Sequence, residues 1–195
     1  LYQQALVMMK RTLGEDHPDV ATILNNLATV YSKQGRYGEA EPLYQQALTL
    51  KQRILGEDHP DVANSLNNLA LLYHSQGRYS EAEPLLQQAL ALMKRTLGED
   101  HPSVATSLNN LAGAYHNQGR YEEAVTFLKQ GANVEEAVLS RNLAIGSEQQ
   151  KRKYLATFRG TTNRTISLHL QQVPENLEAA KVALTTILRR KGRVL

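Results

Sequence analysis

LGEDHP stands at residues 13–18, 55–60 and 97–102, and whether it is chemistry or punctuation decides the fold. Each copy sets Glu, Asp and His side by side, a trio that could ligate a metal or share protons. The spacing argues for punctuation. Leu13, Leu55 and Leu97 open the copies at a constant interval of 42 residues, and the sequence between them repeats as well. Units beginning at Asp19, Asp61 and Ser103 share DVA or SVA, then LNNLA, then QGRY and EA. The first 18 residues, LYQQALVMMKRTLGEDHP, match only the second half of a unit, so the chain opens within a repeat and reads as a piece of a longer array. A period of 20 to 50 residues marks a solenoid, in which each unit buries its apolar face on its neighbours.

Within a unit, Val20, Leu24, Leu27, Ala28 and Tyr31 recur at helical spacing. Gly35 interrupts, and Ala40, Leu43, Tyr44, Ala47, Leu48 and Leu55 resume the pattern. Each unit is therefore expected to be a helical hairpin, with no sustained two-residue alternation to suggest strands. LGEDHP then supplies a stop and a start. Gly14, Gly56 and Gly98 suit a left-handed position after the last helical turn. Asp or His caps the next helix, Pro18, Pro60 and Pro102 fit a first turn whose N–H has no partner to lose, and Asp19 and Asp61 favour the helix dipole. Helices pack about 8 to 10 Å apart, so connectors two helices apart are too distant to pool imidazoles. We therefore expect no metal site and no cofactor.

Composition narrows the class. With 195 residues, 42% hydrophobic and 21% charged, the chain can bury a sizeable core. No run approaches the roughly 18 apolar residues that a spanning helix needs, so no membrane partner is expected. The chain has no cysteine, which excludes disulfides, thiolate ligands and cysteine nucleophiles within it and fits a cytoplasmic setting. The net charge of +3 hides an asymmetry: residues 1–138 carry −5 and residues 139–195 carry +8. A basic tail suggests an acidic partner surface, nucleic acid or the acidic body itself.

Leu24, Leu27, Ala28 and Tyr31, followed by Ala40, Tyr44 and Ala47, resemble the tetratricopeptide repeat. The 42-residue unit with LGEDHPDVA, LNNLA and QGRYxEAE is similar to the repeats of kinesin light chains. The resemblance covers residues 1–140 and implies an all-α, right-handed superhelical solenoid of helical hairpins. Residues 1–18 would be the second helix of a truncated repeat, and 19–60, 61–102 and 103–140 the following repeats. Residues 141–195 form a basic C-terminal extension. From Asn142 it resembles the segment that follows such repeats in cyanobacterial proteins carrying a CHAT domain, a caspase-like protease module that would lie beyond Leu195.

The resemblance also implies a concave groove lined by the first helix of each hairpin, open to a protein or an extended peptide. Those helices carry the doublets Asn25-Asn26, Asn67-Asn68 and Asn109-Asn110, although Asn costs a helix roughly 0.6 kcal/mol relative to Ala. Two readings stand. Asn amides could hold the backbone of a bound peptide, or one Asn of each doublet could bond the neighbouring repeat, since adjacent helical residues point about 100° apart. Thr22, Asn64 and Thr106 before the doublets, and Thr29, Leu71 and Gly113 after them, should share the groove face. Lys33 is the main cation at its edge, so a neutral or polar peptide fits better than an acidic one. His74 and His116 follow the motif tyrosines and either reach the groove rim or are exposed helix-end residues. The arginines after Gly35, Gly77 and Gly119 are expected to be solvated or to cap carbonyls. Pro42 and Pro84 are expected early in second helices, where a missing N–H is tolerated.

In the tail, Ser147 with Gln150 resembles a capping box, and Pro174 opens a helix reaching about Lys191. Between them ISLHL could be strand or helix. Arg189, Arg190, Lys191 and Arg193 cluster at the end of that helix. No interleaved aromatics suggest nucleic acid, so docking to an adjoining domain is the expectation. No nucleophile–base pair or phosphate-binding glycine loop stands out, and the chain is read as a non-enzymatic binding scaffold, with the regulatory arm of a CHAT protease as the alternative. Finally, Leu1, Ala5, Leu6 and Met9 are expected to leave apolar surface open on the first helix, allowing self-association.

Overall fold

The computed structural model describes residues 2–143 together with 180, 181, 183 and 184. Among the described residues 2–143, seven helices follow one another: α1 (Tyr2–Leu13), α2 (Pro18–Lys33), α3 (Tyr37–Leu55), α4 (Pro60–Ser75), α5 (Tyr79–Leu97), α6 (Pro102–Asn117) and α7 (Tyr121–Leu143). No strand occurs among the described residues. First helices of 16 residues alternate with second helices of 19, and α7 extends to 23, past residue 140. ISLHL and the basic cluster Arg189, Arg190, Lys191 and Arg193 lie outside the described residues.

The punctuation has a definite mechanism. His17, His59 and His101, not the preceding aspartates, are the N-caps of α2, α4 and α6. Their Nδ1 atoms accept the N–H of Asp19 at 3.2 Å, Asp61 at 3.1 Å and Ser103 at 3.2 Å, satisfying donors that the first turn leaves open. Proline is the first residue of each of these helices. Gly56 has φ 84° and ψ 158°, an extended positive-φ region available essentially to glycine alone, rather than the left-handed helical well the sequence suggested.

The tighter turn within each hairpin is a Schellman motif. The Arg36 N–H reaches the Tyr31 carbonyl at 2.9 Å and the Gly35 N–H reaches the Ser32 carbonyl at 3.0 Å, with Gly35 at φ 73°. The same bonds form at Gly77 and Gly119. Pro42 and Pro84 correct an expectation: each is the sixth residue of its helix, past the turn of unpaired N–H groups. Each removes one interior bond, and the helix runs on.

The chain divides into two compact units, residues 1–96 and 97–195. In the first, α2 packs on α1 and α3, and α3 packs on α4. Val20, Ala21 and Leu24 of α2 form a buried cluster with Ala47 and Leu50 of α3, and Leu6, Met9, Leu43 and Ile54 pack around it. Ala28, Ala40 and Ala47 have no exposed surface, so backbones approach closely where a larger side chain would hold them apart. Leu6 and Met9 are therefore not the open apolar residues of α1. Tyr2, Val7, Met8 and Leu13 are, with Val7 and Met8 each 69% exposed. Leu1 lies outside the described residues. In the second unit α6 packs on α7, burying Val104, Leu108, Leu111, Ala124 and Leu128, and the Tyr115 ring stacks on Phe127 at 5.2 Å.

Candidate functional site

Helical geometry sorts each Asn doublet into an inner and an outer member. Along α2 the open or half-open positions are Asp19, Thr22, Asn26, Thr29 and Lys33, spaced by three and four residues, so they form one stripe. The same register on α4 selects Asp61, Asn64, Asn68, Leu71 and Ser75, and on α6 it selects Thr106, Asn110, Gly113 and Asn117. Asn26, Asn68 and Asn110 thus sit at mid-stripe, each half-buried. The only charged side chains on the α2 and α4 stripes are at their ends: Asp19 and Asp61 in the first turns and Lys33 in the last turn of α2.

The first members of the doublets point elsewhere. Asn67 and Asn109 are 7% and 9% exposed, so these two expected groove residues are interior groups, rotated about 100° from the open stripe. The Asn109 amide donates to Glu135 Oε1 at 3.0 Å, and a Cβ on Gly131 would come within 2.7 Å of Asn109 Oδ1. Gly131 is therefore what lets that amide in, where α3 and α5 carry Ala47 and Ala89 at the corresponding place. Asn25 is half-buried, and its Oδ1 accepts Asn68 Nδ2 at 2.9 Å, tying α2 to α4. In unit 1 the doublets thus divide between bonding from helix to helix, by Asn25 with Asn68, and an open position at Asn26.

Asn64 is exposed, and its amide donates to Asp61 at 3.4 Å. Lys33 is exposed at the end of α2. His74 and His116 lie at hairpin tips, edge-on to Tyr79 at 5.2 Å and Tyr121 at 5.6 Å, and His116 Nδ1 is 3.0 Å from Asn117 Oδ1. Thr29 Oγ bonds the Asn25 carbonyl and the Tyr44 hydroxyl, each at 2.9 Å, so much of its polarity is already spoken for. Burial raises the Tyr44 phenol above its ordinary value, and the Thr29 bond partly offsets this.

The arginines of QGRY are neither simply solvated nor caps on carbonyls, as the sequence suggested. Each guanidinium lies over the tyrosine five residues before it: Arg36 on Tyr31 (4.1 Å to the ring centroid), Arg78 on Tyr73 (4.0 Å) and Arg120 on Tyr115 (4.1 Å). Each also grips the glutamate three residues on. Arg36 meets Glu39 through two 2.7 Å bonds and Arg78 meets Glu81 through two more, while Arg120 meets Glu123 at 2.6 and 2.9 Å. These bonds hold the Glu39, Glu81 and Glu123 carboxyls below the usual carboxylate range. Arg78 has a third partner, Glu41 of the preceding hairpin, at 2.7 Å, and Glu81 first and Glu41 second push it further toward the charged form. The recurring Arg and Glu three apart was the available signal.

No group of three or more His, Cys, Asp or Glu side chains able to hold a metal occurs among the described residues, and no described helix is long and apolar enough to cross a membrane.

Comparison with known proteins places these features. The family model for the tetratricopeptide repeat matches residues 1–53, 19–95 and 74–137. No curated protein matches the chain. Among solved structures, BtubC (BKLC) from P. vanneervenii aligns with 98% of this chain and 70% of its own, at a TM-score of 0.72 and 23% identity, a likeness of fold. A kinesin-light-chain-type protein of Podosopora anserina with nearly identical TPR-like repeats aligns with 98% of this chain and 84% of its own, at a TM-score of 0.69 and 27% identity. A point variant of that protein matches equally well.

Proposed function

The chain belongs to the tetratricopeptide repeat family, whose fold serves protein–protein interaction, and from that premise we propose a non-enzymatic scaffold that holds an extended peptide along the open stripes of its first helices. The observation that carries this reading is the division of labour within the doublets. Asn25 and Asn68 bond each other while Asn26 keeps an amide at mid-stripe, flanked by Thr22 and Thr29 and remote from any charge except at the helix ends. An amide supplies two donors and one acceptor, which matches a peptide backbone without selecting side chains. With Lys33 as the stripe's single cation, a neutral or polar peptide fits, and its binding should change little with salt. A cytoplasmic setting belongs to the same reading.

The test is peptide display on the parent chain and on a variant carrying Asn26→Ala, Asn68→Ala and Asn110→Ala, with helicity checked by circular dichroism. Enrichment of a motif by the parent and its loss in the variant supports the groove. Enrichment of the same motif by both moves binding to another face.

A second reading rests on the sequence of residues 142–195, similar to segments that precede CHAT modules in cyanobacterial proteins: the repeats would then regulate a protease. Its test is the coding sequence that follows Leu195, where a paired His and Cys in a caspase-like module supports it and another kind of domain removes it.

A further inference from the structure

Asn25 and Asn109 hold the same register in their hairpins, yet their amides act in opposite senses. Asn109 is buried and donates to Glu135 Oε1 at 3.0 Å within its own hairpin. Asn25 accepts instead: its Oδ1 takes an amide N–H of Asn68, on the next first helix, at 2.9 Å. Two residues of α3 account for the difference. The Asn109 orientation needs glycine at 131, where a Cβ would stand 2.7 Å from Asn109 Oδ1, and α3 has Ala47 at that place. It also needs the acceptor Glu135, and α3 has Lys51 there, a donor whose amine reaches the Asp61 carbonyl at 3.5 Å. Ala47 and Lys51 together leave the Asn25 side chain to α4.

Asn68 is half-buried at the middle of the α4 stripe. A solitary Asn amide can turn by 180° and offer a partner either its carbonyl or its NH2, so it discriminates little. Held through Nδ2 by Asn25, Asn68 cannot make that exchange, and its Oδ1 has no partner among the described residues. Resting on the peptide groove proposed above, we infer that Asn25 is a positioning residue: it fixes the Asn68 amide so that Oδ1 meets the bound peptide and requires a backbone N–H there. An extended peptide turns a backbone N–H to one side at every second residue, so that donor comes regularly within reach. The specificity that results is exclusion of proline, which has no N–H, at a single position of the peptide.

The probe is a random-peptide display library panned on the full 195-residue chain, and the readout is the proline frequency at each position of the enriched motif. One position should show proline depleted about tenfold against the starting library, the effect of one unmade hydrogen bond. Asn25→Ala should return proline there toward its starting frequency. Asn25→Asp should keep the depletion, because a carboxylate still accepts from Asn68. A second variant leaves the doublets intact: Ala47→Gly with Lys51→Glu gives Asn25 the surroundings of Asn109, draws its amide inward and should relax the exclusion as Asn25→Ala does. Circular dichroism checks helicity throughout. A merely structural tie between α2 and α4 would weaken enrichment and leave the proline pattern unchanged, and that result in Asn25→Ala overturns the inference. Where Asn25→Ala does not fold, the same result in the double variant overturns it. A motif that tolerates proline at every position also overturns it, while loss of that motif in the Asn26→Ala, Asn68→Ala, Asn110→Ala chain would still uphold the groove. A library that yields no motif removes the groove and this inference together.

Discussion

At the scale of single residues, the connectors and turns depend on what glycine alone can do. At φ 84° and ψ 158° Gly56 is outside the left-handed well that Asn tolerates, and a Cβ there has open space around it, so the cost of replacing it is purely conformational. Gly56→Ala should therefore destabilise the chain by about 1 to 3 kcal/mol, and Gly56→Asn should give no rescue. Urea unfolding of the two variants checks this, and near-wild-type stability for the Asn variant would mean that the connector relaxes into the left-handed well. Sequence alone placed the glycine correctly and its ψ wrongly, because both conformations favour the same residue. The N-cap shows a similar limit. Asp and His both precede proline in LGEDHP, and only the backbone path reveals that the imidazole, one residue nearer the helix, reaches the open N–H.

Between elements, the arginine of the hairpin turn joins three layers of structure. Its N–H closes the Schellman motif, its guanidinium covers the tyrosine ring, and its remaining donors hold the glutamate that opens the second helix. Arg36 and Arg78 have matched surroundings on all three counts, and Arg78 alone of the two adds Glu41 from the preceding hairpin. Arg78→Ala should accordingly lower the thermal midpoint more than Arg36→Ala does. In a Glu41→Gln background the two losses should become equal, a double-mutant comparison that isolates the bond between hairpins. Equal losses in the parent background would show that Glu41 contributes nothing. The hairpins themselves were legible, since helix periodicity and turn residues are local signals. The cation–π stacks were not, because the Schellman turn folds residue 36 back onto residue 31, and no linear spacing rule for helices joins positions across a helix end.

The same element scale explains why the Asn doublets deceived. The three doublets sit at equivalent registers, yet Asn109 is fixed by a glutamate and a glycine, Glu135 and Gly131, that the other two described hairpins lack. Lys51 stands at the Glu135 position on α3, half-buried, with its amine shifted down by burial against the attraction of Asp61. Asn109→Ala should cost about 1 to 3 kcal/mol by leaving part of a buried carboxylate without its donor, whereas Asn26→Ala, on the open stripe, should leave stability within about 0.5 kcal/mol. Comparable losses for both would put Asn26 in the interior and remove it from the peptide site.

Over the whole molecule, repetition multiplies small local effects. Every hairpin contains one glutamate held by an arginine, Glu39, Glu81 and Glu123, and in each the folded carboxyl sits below its ordinary value. The sign follows directly. A carboxyl whose folded pKa is depressed adds stability that is fully present above its unfolded value, about 4.3, and that is lost as the pH falls through the folded value. These pairs are exposed enough for water and salt to screen each one, so the individual contributions are modest. Because three recur in one chain, we expect the thermal midpoint to be level from about pH 7 to 5 and to decline below about pH 4. Glu39→Gln, Glu81→Gln and Glu123→Gln combined should lower the midpoint at neutral pH and make the acid decline shallower. If the triple variant instead loses stability in acid as steeply as the parent, the arginine clamps are not what makes the array sensitive to acid, and their role reduces to shaping the turn around each tyrosine.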